Sequence, residues 1–188
     1  VVQGAYGDMP IANALEEINK LRQISSGFCY ADGAAWNTQK TDYLRSISWD
    51  TPTIIWFNFR KEREDICRIL SELHVTHVVA DGENPSAKSI DSFGSGEAQV
   101  IVAQLQSIRE GVTLNRATRV IYYSPCFSQI IRSQSEDRNH RIGQKHSVLY
   151  IDLISSEIEA WMKEGLSKHV DVLQFLHKKL LDLHKKKE

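Results

Sequence analysis

The stretch Gln134-Ser-Glu-Asp-Arg138-Asn-His-Arg141-Ile-Gly-Gln144 holds the residues best suited to chemistry. On a helix, Arg138 and Arg141 stand three residues apart, with Gln134 one turn upstream on the same side. One amide and two guanidinium forks then project from a single stripe. A planar, permanently charged fork matches a phosphate whose charge is spread over several oxygens. The same spacing allows a plainer arrangement, because Asp137 and Arg141 are at i,i+4 and Glu136 and Asp137 can neutralise the arginines on a solvated face. Residue types alone leave both arrangements open.

The elements that must position this stripe come from the hydrophobic pattern. Ile11, Leu15, Ile18, Leu21 and Ile24 recur at helical spacing up to Gly27. Phe28 to Trp36 reads as a small hairpin turning at Asp32-Gly33, and Lys40 to Ser48 as a short helix. From Thr53 strands and helices alternate. Thr53–Phe57, Val75–Ala80, Gln99–Ala103, Arg119–Tyr123 and Ser147–Leu153 are the expected strands. Between them come helices over Arg60–Leu73, Ser86–Phe93 and Ser128–Arg141, and two more follow over Glu157–Lys163 and His169–Leu183. Nearly continuous apolar strands separated by helices predict a parallel sheet covered on both faces, with right-handed crossovers. Ligands of such sheets bind beyond the carboxyl ends of the strands.

Composition sets outer limits. The 188 residues suit one domain; 41% are hydrophobic and 25% charged, ordinary proportions for a globular protein. No apolar run approaches the ~20 residues that cross a bilayer, and no secretion signal is evident, so the expectation is no membrane and no secretion. Cys29, Cys67 and Cys126 form no C-x-x-C pair, which argues against a zinc site or a disulfide framework; Cys126 reads as a small packing residue. A net charge of −1 is not that of a protein that neutralises many phosphates alone. Arg132, Arg138, Arg141 and Lys145 nevertheless outnumber Glu136 and Asp137, which suits a share in a larger groove. Because the chain opens on Val1 with no Met, it is expected to be a piece of a longer protein.

Gln134 and Arg138-Asn-His-Arg-Ile-Gly-Gln144 resemble the last conserved motif of superfamily-two helicases, in the Gln-x-x-x-Arg-x-His-Arg-Ile-Gly-Gln form of Swi/Snf-type helicase-like ATPases. Leu21–Phe28 is similar to a segment lying between the two sets of motor motifs in those proteins. Asn58-Phe59-Arg60-Lys61 looks like their fourth motif. Gln104 to Leu114 resembles the fifth, Ser/Thr-x-x-Gly-Gly-x-Gly-x-x-Leu, with Gly111 and Leu114 matching and Ala117 following. Arg109 and Glu110 depart from it, and Gln104 replaces a hydroxyl residue. Ser124-Pro-Cys-Phe-Ser128 stands where the family often has Asp-Pro-x-Trp-Asn/Ser; Ser128 is an expected N-cap.

The resemblance implies an α/β, RecA-like three-layer domain with a mostly parallel sheet and helices on both faces. All of 1–188 would form the second helicase lobe: 1–50 as lead-in helix, hairpin and helix, 51–155 as core motifs, 156–188 as C-terminal helices. It implies that Arg138 and Arg141 are arginine fingers aimed at ATP on a different domain, with Gln134 and Gly111 on the nucleotide side. Asn58, Arg60, Lys61, Gln104, Ser107 and Arg109 are implied nucleic-acid contacts, with Gln106 a further DNA-side candidate. Main-chain amides at the helix start after Asn58 could hold a DNA phosphate with Arg60 and Lys61; alternatively those two cations only solubilise the helix.

The implied partners are DNA and an N-terminal helicase lobe, and ATP and Mg²⁺ would be bound mainly by that first lobe. No Gly-x-x-x-x-Gly-Lys-Ser/Thr and no Asp-Glu pair ending a strand occurs in these 188 residues, so they are expected to hydrolyse no ATP alone. The short loops look closest to phage or bacterial members, and a cytoplasmic or nuclear setting is implied. The competing reading is a helicase-derived module that binds nucleic acid or protein without ATP turnover. A Rossmann-type metabolic enzyme is excluded, for want of Gly-x-Gly-x-x-Gly after a strand.

Overall fold

An apolar run with no polar alternation can be shielded only between two layers, and Thr53–Phe57 (β1) is buried along its whole length. The computed structural model describes residues 14–30, 38–83, 86–106, 112–140 and 143–185. β1 lies at the centre of a five-stranded sheet with His77–Ala80 (β2), Val100–Gln104 (β3), Arg119–Tyr122 (β4) and Leu149–Asp152 (β5), in the order β2-β3-β1-β4-β5. A mostly parallel sheet was the expectation; among the described residues every pairing is parallel.

Side chains alternate across the sheet, so β1 feeds two cores. Ile55 and Phe57 pack with Leu44 of Gln39–Ser46 (α2) and Ile66, Ile69 and Leu70 of Arg60–Glu72 (α3). Ile54 and Trp56 join Ile18 of Ala14–Ser25 (α1), Phe93 of Ser86–Ser95 (α4), Met162 of Glu157–Ser167 (α6) and Leu176 of Val172–Lys185 (α7). Ile131 of Gln129–Asp137 (α5) packs partly against the same cluster. The result is the three-layer arrangement the alternation predicted. Ser128 and Ser156 cap α5 and α6, accepting from the amides of Ile131 and Glu159.

Several boundaries differ from expectation for identifiable reasons. β2 begins at His77 because His74, at φ +56°, closes α3 and the Val75 amide bonds back to Leu70. α6 runs on to Ser167, ended by His169 at φ +53°, so α7 starts only at Val172. Of the expected hairpin, Phe28 is buried and Tyr30 is 58% exposed in a turn; Asp32, Gly33 and Trp36 lie outside the described residues, as does Ile11.

The largest correction concerns the arginine helix, expected to reach Arg141. It ends at Asp137, with Arg138 as its C-cap. The Arg138 carbonyl takes the Leu114 amide at 3.0 Å, a long-range bond that competes with helix continuation.

An ionic cluster ties α5 and α6 to β5. Arg132 lies over the Tyr122 ring at 3.5 Å and bonds both Glu136 and Asp152, while Lys163 reaches Asp152 at 2.8 Å. Burial pushes the Asp152 carboxyl up, but the hydrogen bonds from Arg132 and Lys163 outweigh it and hold the group below its ordinary value. A depressed carboxyl stabilises the fold above the unfolded value of ~3.9, and that contribution is lost as pH falls through the folded value. Asp152→Asn is therefore expected to unfold at lower denaturant than wild type near neutrality, with the gap closing below about pH 4.

Candidate functional site

Five parallel strands present their carboxyl ends on one rim, and most described candidate residues lie there or just beyond it. At the opposite end, where the chain enters β4 and α5 has run back down the sheet, two further stretches are stitched together. The Asn139 side chain, fully buried, donates to the carbonyls of Leu114 at 3.3 Å and Ala117 at 3.5 Å. Gln144 Nε2 donates to Asn115 and Ala117 at 2.9 and 3.1 Å. Gly143 sits at φ +109°, where a Cβ would come within 2.9 Å of Asn115 Nδ2, so the turn needs glycine twice over. The end of the fifth-motif-like stretch and the turn after Arg138 are thereby held as one body.

Within that body Arg138 is only 6% exposed, and its main chain is fixed by Leu114. This corrects the expectation of an open stripe for that side chain. Gln134 is exposed on α5, as are Ser133 and Asp137 beside it. Arg141, Gly111, Ser107 and Arg109 lie outside the described residues. His140 is exposed and stacks on Tyr150, with ring centres 5.9 Å apart.

The loop after β1 is organised by a residue that the sequence reading passed over. Glu62 is 1% exposed and turns its carboxylate back onto the start of α3. Oε2 accepts from the amides of Asn58 at 2.8 Å and Phe59 at 3.1 Å and from Ser124 Oγ at 3.1 Å, and Oε1 accepts from Ser26 Oγ. The Lys61 amide donates to the Tyr30 hydroxyl at 3.3 Å. A carboxylate therefore occupies the electropositive helix start where an anion was expected, and the idea that these amides receive a DNA phosphate is corrected. The legible signal was Glu62 at the third helical position, the spacing of a reciprocal cap.

Asn58 is committed likewise, its Nδ2 donating to Ser124 O, Ser124 Oγ and Pro125 O at 3.1, 2.8 and 3.3 Å. Arg60 is 67% exposed with Glu64 and Glu83 nearby, and Lys61 bonds Asp65 at 3.2 Å. Burial pushes the Cys126 thiol up, in keeping with a packing role rather than a nucleophile.

A pocket of about 110 Å³ opens beyond β3, β1 and β4, the three central strands, lined by Arg22, Asn58, Phe59, Gln104, Gln106, Cys126 and Phe127. Two of the predicted nucleic-acid contacts, Asn58 and Gln104, meet here with Gln106. Arg22 was not foreseen. It comes from α1, is 6% exposed, and lies 5.0 Å from the Phe59 ring centre and 4.2 Å from that of Phe127. Burial lowers its affinity for the proton from the ordinary arginine value, partly countered by the charge of Glu62. The sequence signal was an arginine one turn after buried Ile18 on the inward face of α1.

Comparison with known proteins follows the same lines. A model of the helicase conserved C-terminal domain matches residues 39–143, more than half of the chain. Two proteins of Arabidopsis thaliana are 30% identical. One is described as a putative SWI/SNF-related matrix-associated actin-dependent regulator of chromatin, subfamily A member 3-like 1, over 56% of this chain and 13% of its own length. The other is SNF2 domain-containing protein CLASSY 4, over 39% of this chain and 7% of its own. The chain thus spans a small part of these relatives. Among solved structures, the C-terminal part of the Fun30 ATPase domain superposes with TM-score 0.60 and 24% identity, covering 68% of this chain and 45% of that one. The C-terminal domain of the DEAD-box protein Dbp5 gives TM-score 0.61 and 15% identity, covering 71% and 79%. Both likenesses concern the fold.

Proposed function

The chain belongs to the helicase conserved C-terminal domain family, and on that premise we propose that it works as the second motor lobe of a Swi/Snf-type, DNA-dependent ATPase. A helicase-like motor lobe is what the family and fold describe; the nucleotide and DNA contacts are our reading. The observation that supports it most is the stitching of 138–140 and 143–144 to 114–117, which joins the last motif to the end of the fifth where the chain enters β4 at its amino end.

In this reading ATP and Mg²⁺ sit mainly on a first lobe that carries the P-loop and the acidic pair. The magnesium ligands belong, in this reading, to that same lobe. Arg138 and Arg141 face its nucleotide when the lobes close, with Gln134 and Gly111 beside them. Phosphoryl transfer needs positioning and charge stabilisation more than covalent help. Arg138, held in a desolvated setting, would act without solvent reorganisation. Closure and release of the lobes would then drive steps along DNA.

The DNA side of the lobe is assigned to Arg60, Lys61, Gln104, Ser107 and Arg109, with Asn58 holding the loop between them and β4. Arg60→Ala is expected to weaken DNA binding and to reduce the slope of log affinity against log salt by about one. Fluorescence anisotropy with a labelled duplex at several salt concentrations measures this. A slope and affinity equal to wild type would leave Arg60 a surface charge, balanced by Glu64 and Glu83.

A further inference from the structure

We propose that the hydrogen bond between Glu62 and Ser124 is the link by which DNA held at the start of α3 acts on α5, both side chains serving as positioning residues. This rests on the motor-lobe reading above and names the connection that reading needs between its DNA side and its nucleotide side. Glu62 grips the amides of Asn58 and Phe59, and Arg60 and Lys61 are the two residues between those amides and Glu62 itself. The described cations assigned to DNA thus stand inside a ring that this carboxylate closes. A phosphate drawing on either one loads the bonds of Glu62.

Those bonds reach beyond the helix. A carboxylate at the third helical position ordinarily turns back only to cap its own helix. Here Oε2 also accepts from Ser124 Oγ at 3.1 Å, and Asn58 Nδ2 donates to Ser124 O, Ser124 Oγ and Pro125 O, so four hydrogen bonds join 58–62 to 124–125. All four donors to the carboxylate are neutral, two amides and the hydroxyls of Ser124 and Ser26. Its position is therefore set by hydrogen-bond direction rather than by the looser pull of an ion pair. Glu62 and Ser124 are each 1% exposed, so water cannot replace a bond that opens. Moving one side alone would leave a buried charged group short of a donor.

Ser124 opens the turn into α5, whose N-cap Ser128 holds the Ile131 amide. Gln134 stands on that helix and Arg138 caps its far end. A shift at the start of α3 is passed by this route to the element that carries the nucleotide-side residues. The junction has two arrangements, with the Glu62–Ser124 bond made or parted, and DNA favours the first.

A cap that serves the fold alone would use the same atoms, and the experiment separates the two roles. In protein assembled with its first lobe, ATP turnover is measured with saturating DNA and without DNA for wild type, Ser124→Ala and Ser26→Ala. Each variant removes one hydroxyl from the same carboxylate, but only Ser124 leads into α5. Ser124→Ala should lower the ratio of stimulated to basal turnover by about tenfold, with basal turnover and DNA affinity within about twofold of wild type. Ser26→Ala should keep that ratio within about twofold, although it lowers resistance to denaturant to a similar extent. Hydrogen exchange of the peptide 124–131 in the wild-type protein, which needs no variant, should slow when DNA binds.

A stimulation ratio equal to wild type in Ser124→Ala overturns the proposal. An equal loss of ratio in both variants also overturns it, since that marks a purely structural cap. Exchange at 124–131 that DNA leaves unchanged does the same, whether or not the variants fold. If wild-type turnover does not respond to DNA at all, the motor-lobe reading fails and this link fails with it.

Discussion

Replacing Arg141 with alanine is expected to lower ATP turnover by at least ~10²-fold in protein assembled with its first lobe, while DNA affinity stays close to wild type. The asymmetry follows from where the charge is needed. An arginine finger meets the transferring phosphoryl group only as negative charge spreads over its oxygens, so its loss lowers kcat rather than ground-state binding. Gln144, three residues on, bonds the carbonyls of Asn115 and Ala117, so the substitution falls close to a braced segment. The measurement is steady-state turnover at saturating nucleotide and DNA, with anisotropy on the same preparations. Turnover equal to wild type would remove the finger mechanism and favour a binding module without ATP hydrolysis. Arg138→Ala is less clean, because that side chain is buried and its loss would also disturb folding.

The second large effect concerns Lys40 and Glu159. Their side chains are 3% and 1% exposed and bonded to one another, joining α2 to α6. Lys40 lies 5.4 Å from the Tyr123 ring centre, and Glu159 Oε2 accepts from the amide of Ser155 at 2.9 Å and its hydroxyl at 3.2 Å. Removing one partner leaves the other as an uncompensated charge in a low dielectric. Lys40→Ala is therefore expected to cost ~3–5 kcal/mol of stability by chemical denaturation. Lys40→Met combined with Glu159→Leu should recover most of that loss, since apolar side chains of similar volume suffer no such penalty. Arg45 and Glu72 supply the contrast, an ion pair more than one-third exposed on both sides, whose disruption should cost under ~1 kcal/mol. If Lys40→Ala costs no more than that exposed pair, the burial of the charges is not what the geometry indicates.

The sheet was legible because its signal is local. Thr53–Phe57 could only be a strand covered on both faces, and the alternation with helices settled the parallel topology. The caps at Ser128 and Ser156 were legible for the same reason. What escaped was decided by partners far along the chain. Nothing between Ser128 and Arg141 announces that Leu114 will take the Arg138 carbonyl, so the helix was read one turn too long. The helix start after Asn58 looked like a phosphate cradle until Glu62 turned back to fill it. Arg22 looked like one more charge on a packing helix, since its place between Phe59 and Phe127 exists only once three separate segments have met. Lys40, read only as the first residue of a short helix, proved to be buried for a similar reason.

α1 carries a mechanical consequence. Its last turns are tied to three different segments: Arg22 to Pro125 after β4, Ser26 to Glu62 in the first turn of α3, and Ser25 to both Ser155 and Ser156 after β5. Those fastenings make the helix a tie-rod laid across the mouth of the sheet. A tug along its axis would be shared among all three attachments at once, while the strands beneath, locked edge to edge, stayed still. Force applied to one short rod could thus reset several loops in concert without costing the domain its frame.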